Sequence, residues 1–403
     1  MTSIRKTRAR CSAIHFAFAA GALASGIALA PVVARAEIAV SANDNKAVLD
    51  NGVTKTVPNP PPDTVSIIDL SASPPKQIAE IAVPASVVGP PMSVAISPDE
   101  NYAIVTGAMK IDPSDPTKMA PDDKISVIDL KSSPPKVIQT VQGGKAPSGV
   151  SINRAGTLAL VANRSEGSVS IYKMAGGTLA EAGKIQLGDD KSGPSQPIFT
   201  RDGTMALVTR DNDHKISVLS VDGDTVEYTK QDLNAGLRPY GIDTGGSGEI
   251  AVVANVGPGS GSALNGDADT ISVIDVRAKP PRVVNTISVG HTPEAIKVSP
   301  DGLHVAVTVM NGSNKPKSSP FYKDNGLLKV YRVSGHGLTQ VAEAPVGHWC
   351  QGAAWSKDSK TILVQCMVEK EILAFKFDGA ERLEKAGSIK VNGGPAGIRT
   401  AEP

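Results

Sequence analysis

The stretch Pro293-Glu-Ala-Ile-Lys-Val-Ser-Pro-Asp-Gly-Leu-His-Val-Ala-Val-Thr308 decides how the rest of the chain is read. β-Branched and small apolar residues flank Ser299-Pro-Asp-Gly302 on both sides. In that tetrapeptide proline presets one turn dihedral and glycine accepts a left-handed one, so two short strands joined by a tight turn are predicted. The frame recurs. It starts at Pro91 with Ser97-Pro-Asp99 and Tyr102–Thr106, at Pro147 with Leu158–Asn163, at Pro194 with Arg201-Asp-Gly203 and Met205–Thr209, and at Pro239 with Ile250–Asn255. At Cys350 the proline is replaced, but Ser356-Lys-Asp-Ser359 and Ile362–Gln365 keep the frame, and Pro395–Thr400 begins a further copy. The anchors are 56, 47, 45, 54, 57 and 45 residues apart.

A third strand follows each pair: Thr64–Asp69, Ile125–Asp129, Ser168–Tyr172, Lys215–Leu219, Thr270–Asp275, Leu327–Tyr331 and Glu371–Phe375. A fourth comes after each, as at Ile78–Val83, Val283–Val289 and Lys385–Val391. Four strands per repeat at this period is a propeller blade. The fold class is therefore all-β, a seven-bladed β-propeller forming a single domain over residues 37–403. The seventh blade is split between the two ends of the chain. Pro395–Thr400 supplies its first strand, and the missing second strand is placed near Asn45–Asp50. The N- and C-terminal strands thus share one blade and close the ring, which removes unpaired strand edges. The connectors Ser73-Pro-Pro-Lys76, Ser133-Pro-Pro-Lys136 and Lys279-Pro-Pro-Arg282 read as rigid turns of the repeat rather than as proline-rich ligands.

The Ser-Pro-Asp turns, the Leu158-Ala-Leu-Val-Ala-Asn163 and Ile250-Ala-Val-Val-Ala-Asn255 strands and the Ile-Ser-Val-Ile-Asp strands carry a resemblance. The chain resembles the YVTN-type propeller repeat family, also described as YncE-like or lactonase-like. The resemblance spans almost all of residues 37–403. It implies a propeller, and it implies a group that includes lactone hydrolases and cytochrome- or quinoprotein-linked propellers. No catalytic motif of that family matches here position by position, so no catalytic residue is carried over.

Arg5, Lys6, Arg8 and Arg10 precede an apolar, Ala-rich run to about Val33, followed by Ala34-Arg35-Ala36. This is the layout of a secretory signal peptide over residues 1–36, so a periplasmic or secreted protein is expected, with an uncleaved anchor as the alternative. No other apolar stretch approaches spanning length, so no membrane span is expected after cleavage. Without the signal, 36 basic residues face 40 acidic ones, which argues against a nucleic-acid partner. Only 14 residues are Trp, Tyr or Phe, too few for base-stacking platforms. With 20% charged and 40% hydrophobic residues the chain is not disordered. Beyond the signal, Cys350 and Cys366 remain. Cys350 begins the first strand of its hairpin and Cys366 ends the second. The turn at Lys357–Lys360 sets them opposite each other within one register step, and a cross-strand disulfide is expected.

In a propeller the first strands line the central channel, and their lead-in segments share one face with the second-to-third connections. That face collects Arg238, Tyr240, His291, Glu294, His348, Trp349 and Gln351 from lead-ins, and Asn163, Arg164, Arg210, Asp211, Asp213, His214 and Asn255 from connections. Three of its loops are long: Gly107–Lys124, Asn255–Asp269 and Met310–Gly326. A ligand funnel is expected there, holding a small molecule or a protein partner. The ligand-binding candidates are Arg164, Arg210, His214, Arg238, Tyr240, His291, Glu294, His348, Trp349 and Gln351. A sharper reading has His291 and His348 join Glu294 and Arg238 to bind a carboxylate or polarise a lactone carbonyl. Two histidines and one carboxylate fall short of a metal set, so no metal is expected. Asp211-Asn-Asp213 lacks the glycine and distal glutamate of a calcium loop. The Gly-rich run from Asn255 lacks the Lys-Ser/Thr of a phosphate loop. No cofactor is expected, since no haem-attachment Cys-x-x-Cys-His occurs, and no Gly-x-Ser-x-Gly elbow occurs either. Two functions stay open: a binding or scaffold protein, and a lactonase-like hydrolase. A redox subunit paired with a separate cytochrome or quinone is a third, weaker idea.

Overall fold

The first two strands of each blade are rich in Val, Ile and Ala and bury both faces. Pro293–Val298 and His304–Val309 are buried at every position, which fits sheets stacked face to face. The computed structural model describes residues 37–258 and 268–402. The expected signal peptide and most of the Asn255–Asp269 loop lie outside the described residues. Seven four-stranded antiparallel sheets form the blades. Their first strands are Gly394–Thr400, Val94–Ile96, Pro147–Ile152, Pro194–Phe199, Pro239–Thr244, Pro293–Val298 and Cys350–Trp355, here blades one to seven. Each is flanked by the first strands of its two neighbours, so the ring closes. The protein is an all-β, seven-bladed propeller, with no helix among the described residues.

Blade one closes the ring across the chain ends, as expected, but with a different second strand. Ile38–Asp44 pairs with Gly394–Thr400 on one side and Thr64–Asp69 on the other. Every one of its residues is buried, and Ile38, Val40 and Ala42 join the core with Val94 and Val105 of blade two. The segment assigned to that strand from sequence, Asn45–Asp50, instead enters a separate hairpin, Ala47–Asp50 with Val53–Thr56. Its turn is Asn51-Gly52, both at positive φ, the dipeptide that two-residue hairpin turns require. The Gly107–Lys124 loop is also corrected. Tyr102–Asp112 and Asp115–Asp129 are strands that extend blade two well beyond the ring.

The first strands share a local irregularity. Register shifts fall between Pro147 and Val150, Pro194 and Gln196, Pro239 and Ile242, Pro293 and Ile296, and Cys350 and Ala353. A bulge of this kind re-aims a side chain. Here it frees the residue after the lead-in proline or cysteine, namely Ser148, Ser195, Tyr240, Glu294 or Gln351. In blades four and six a threonine of the second strand ties the bulge to the next blade. Thr209 Oγ1 accepts from Gln196 N at 3.1 Å and donates to Tyr240 O at 2.8 Å. Thr308 Oγ1 accepts from Ala295 N at 3.0 Å and donates to Gln351 O at 2.7 Å.

Cys350 and Cys366 face each other across the blade-seven hairpin with Cα atoms 4.0 Å apart and form the expected disulfide, fully buried. Inner strands also approach so closely that position three of several blades has no room for a side chain. A Cβ on Gly149 would collide with the Ser195 carbonyl, and one on Gly241 would lie 2.5 Å from Glu294 O. Gly149→Ala should therefore cost about 1–3 kcal/mol by overpacking. Gly183→Ala, whose new methyl would meet only Ile171 Cδ1 at 3.8 Å, should cost much less. Urea unfolding of both variants checks this, and equal losses would contradict the close-approach account.

Candidate functional site

The bulged residues of blades five, six and seven meet at one end of the channel. Tyr240, Glu294 and Gln351 line a cavity of about 280 Å³ with Arg164, Trp349 and Asn314. Leu49, Gly52 and Thr54 of the 47–56 hairpin also line it. That hairpin lies over the cavity as a roof. Its base is pinned where Val57 N donates to Lys46 O at 2.8 Å, and Lys46 Nζ is held by Asp63 and by Ala85 O. Its tip docks through Lys317 N, which donates to Asn51 Oδ1 at 2.9 Å. Gly52, at φ 81°, sits so tightly against Pro316 that any Cβ would overlap it.

Two guanidiniums converge on one buried carboxylate beneath the cavity. Arg164 grips Asp211 with both terminal nitrogens, at 2.7 and 2.9 Å, and also donates to Ser195 Oγ. Arg238 Nη2 reaches Asp211 Oδ2 at 2.9 Å, and Ser195 Oγ donates to Asp211 Oδ1 at 2.7 Å. Burial alone would raise the Asp211 pKa. The Arg164 charge and the hydrogen bonds from Arg164, Ser195 and Arg238 outweigh it and hold the group below the usual carboxylate range. The Arg164 guanidinium lies 5.6 Å from the Tyr240 ring centroid.

Glu294 is the unpaired member. It is 5% exposed, and its Oε2 has no hydrogen-bond partner. Burial pushes its carboxyl up to about 8, against the pull of Arg238 and Arg164 and with the help of Asp211. Near neutral pH the cluster therefore holds two cations, one anion and one neutral acid, a net charge of one positive. Gln351 Oε1 is likewise buried without a partner. Orphaned acceptors of this kind are costly unless something donates to them.

Of the ten candidates, Arg164, Tyr240, Glu294, Trp349 and Gln351 line the cavity, and Arg238 reaches it through Asp211. The other four lie elsewhere. Arg210 is tied to Asp213 by Nε at 2.8 Å and to Asp232 at 3.4 Å. His214 Nδ1 accepts from Arg238 N at 3.2 Å. His348 Nδ1 pairs with Glu369 at 2.7 Å, and His291 Nδ1 with Thr292 Oγ1 at 2.9 Å. Neither His291 nor His348 contributes to the lining, so the two do not join Glu294 there. Asp211 and Ser195 emerge as members that the candidate set lacked. The signal for Ser195 was its place directly after a lead-in proline. Cys350, Cys366 and Glu369 also cluster, but disulfide sulfurs are not thiolate ligands.

No protein-family model and no curated protein matches the sequence. Solved structures match in shape. A candidate 6-phosphogluconolactonase from Bacteroides uniformis is 18% identical with a TM-score of 0.68, over 91% of this chain and 100% of that one. The periplasmic gluconolactonase of Pseudomonas aeruginosa is 15% identical with a TM-score of 0.65, over 92% and 100%. The hydrazine synthase of Kuenenia stuttgartiensis is 17% identical with a TM-score of 0.60, over 79% and 91%. At these identities the likeness establishes the fold alone.

The Glu294 carboxyl makes a test of the site's electrostatics. Folding raises its pKa from 4.5 to about 8, so the folded chain holds a proton that the unfolded chain has released. That contribution to stability is complete below 4.5 and is lost as pH rises through about 8. Glu294→Gln should remove this loss. Urea midpoints at about pH 5 and about pH 9 read it, and an unchanged fall in the variant would contradict the assignment.

Proposed function

We propose that this chain is an exported propeller of the YVTN/YncE-like type that binds a small hydroxylated lactone in the roofed cavity and opens its ring. The observation that carries the reading is the unpaired Glu294 carboxyl, buried beside Arg164 in a cavity with one positive charge in excess. The lactonases among the structures of similar shape support it. The Ala-rich segment before Ala36 supports export.

The residues suit each role. Ionised Glu294 takes a proton from a water as its oxygen attacks the lactone carbonyl. Arg164 stabilises the negative charge that develops on the carbonyl oxygen. The ring C–O bond then breaks, and Glu294 returns the proton to the leaving alkoxide. A base with a pKa near the working pH suits both transfers. Gln351 Oε1, buried without a partner, and Tyr240 would bind ring hydroxyls, with Trp349 offering a flat apolar face. Binding without turnover is the second reading. It is favoured by the engagement of both guanidiniums with Asp211, which leaves each less free to stabilise new charge.

A panel of aldonolactones, read by acid release and by thermal shift, separates the two. Turnover should rise with pH toward a plateau above about 8, and Glu294→Gln should lower kcat/KM by about 10²–10⁴. Thermal stabilisation with no turnover on any lactone selects the binder. Excision of the 47–56 roof, joining Lys46 to Val57, should leave the fold intact, weaken ligand binding and admit larger lactones. A ligand affinity unchanged by the excision would mean that the roof does not enclose the ligand.

A further inference from the structure

The far end of the channel holds a second cluster that the proposed reaction does not use. The strands that carry Tyr240, Glu294 and Gln351 at one end carry Asp243, Lys297 and Trp355 toward the other. Three strand steps separate Glu294 from Lys297, roughly 10 Å at strand rise. There a cavity of about 80 Å³ is lined by Arg154, Arg201, Lys297, Arg399, Asp243 and Glu402, among others. That is room for a few water-sized groups.

Lys297 and Arg399 are buried, at 6% and 2% exposed, and share Asp243 at 2.9 and 3.6 Å. Their other counter-ion is Glu402, at 3.4 Å from Lys297 and 3.1 Å from Arg399. Glu402 lies past the last strand, and its side chain is 42% exposed. Arg399 Nη1 is buried without a hydrogen bond of proper geometry, so Glu402 serves it as a charge but not as a fitted acceptor. Arg201 and Arg154 stand at the rim, close enough for Arg201 to sense both Arg154 and Glu402. Four cations thus face one fixed carboxylate, Asp243, and one that a side-chain rotation would remove. Without Glu402 the two buried cations would share Asp243 alone, an incomplete neutralisation that a replacement anion would make good.

We propose that this end of the channel is a second binding site, for a small dianion of the phosphate class, and that Glu402 is its built-in competitor. An incoming phosphate takes the place of the Glu402 carboxylate against Lys297 and Arg399, fits the open Nη1 of Arg399, and is closed over by Arg201 and Arg154. The site is independent of the lactone cavity and of any activity there.

The sequence contains only two tryptophans, and they lie at opposite ends of the channel: Trp349 lines the roofed cavity and Trp355 this one. Trp349→Phe therefore leaves a single fluorescent reporter beside the proposed site. Inorganic phosphate titrated into that variant at constant ionic strength should give a saturable change in Trp355 emission. Adding Glu402→Gln should tighten binding about tenfold by removing the competitor. Arg154→Ser with Arg201→Ser, both outside the buried pair, should weaken it about tenfold or more at unchanged thermal stability. No saturable change in either Trp349→Phe or its Glu402→Gln derivative would overturn the proposal. So would Glu402→Gln weakening binding, which would make Glu402 part of the site rather than its competitor. Saturation by succinate but not by phosphate would overturn the phosphate assignment.

Discussion

The rest of the structure depends on how closely seven first strands approach one another around a single axis. At that separation a carbonyl of one strand sits where the neighbour's Cβ would be, as Ser195 O does for Gly149. The strands answer with a bulge and a small residue, and the bulge turns the preceding side chain toward the axis. Packing and chemistry are therefore set by the same irregularity. The position that relieves the crowding also delivers Ser195, Tyr240, Glu294 and Gln351 to the channel.

Charge is arranged on top of that frame. A buried carboxylate between two guanidiniums, Asp211, is fully satisfied and stays ionised. A second carboxylate on the next bulge but one, Glu294, has no donor and keeps its proton. The difference comes from position and not from residue type. Asp211 follows the second strand of blade four, where Arg164 and Arg238 of the adjoining blades can both reach it. Glu294 lines the channel cavity, where no hydrogen bond reaches its Oε2.

Repetition made the architecture legible. Proline anchors, Ser-Pro-Asp turns and four strands per period specify blades whatever the tertiary detail, and the Cys350–Cys366 register followed from counting across one turn. Residues outside the repeat were not legible in the same way. Ile38–Asp44 has no proline anchor and no Ser-Pro-Asp turn, so its place in blade one had only composition to mark it. Asn51-Gly52 did carry a hairpin signal, yet it sat inside the segment assigned to the ring. For the site, lead-in position located Tyr240, Glu294, Trp349 and Gln351 on the channel face. The histidines went astray because partners are set by rotamer and by neighbours distant in sequence. Glu369 captures His348 from the loop after the second strand of blade seven, and no repeat pattern encodes that pairing.

The shared blade also couples the two ends of the chain. Ile38–Asp44 must wait for Gly394–Thr400, more than three hundred residues away, before one of its edges is paired. Closing so long a loop carries an entropic cost, and non-local pairing of this kind slows folding. Arg399 belongs to the C-terminal strand, and Glu402 lies two residues past its end. The far end of the channel is therefore complete only in the closed ring, because residues from the C-terminal strand and the segment after it help to line it.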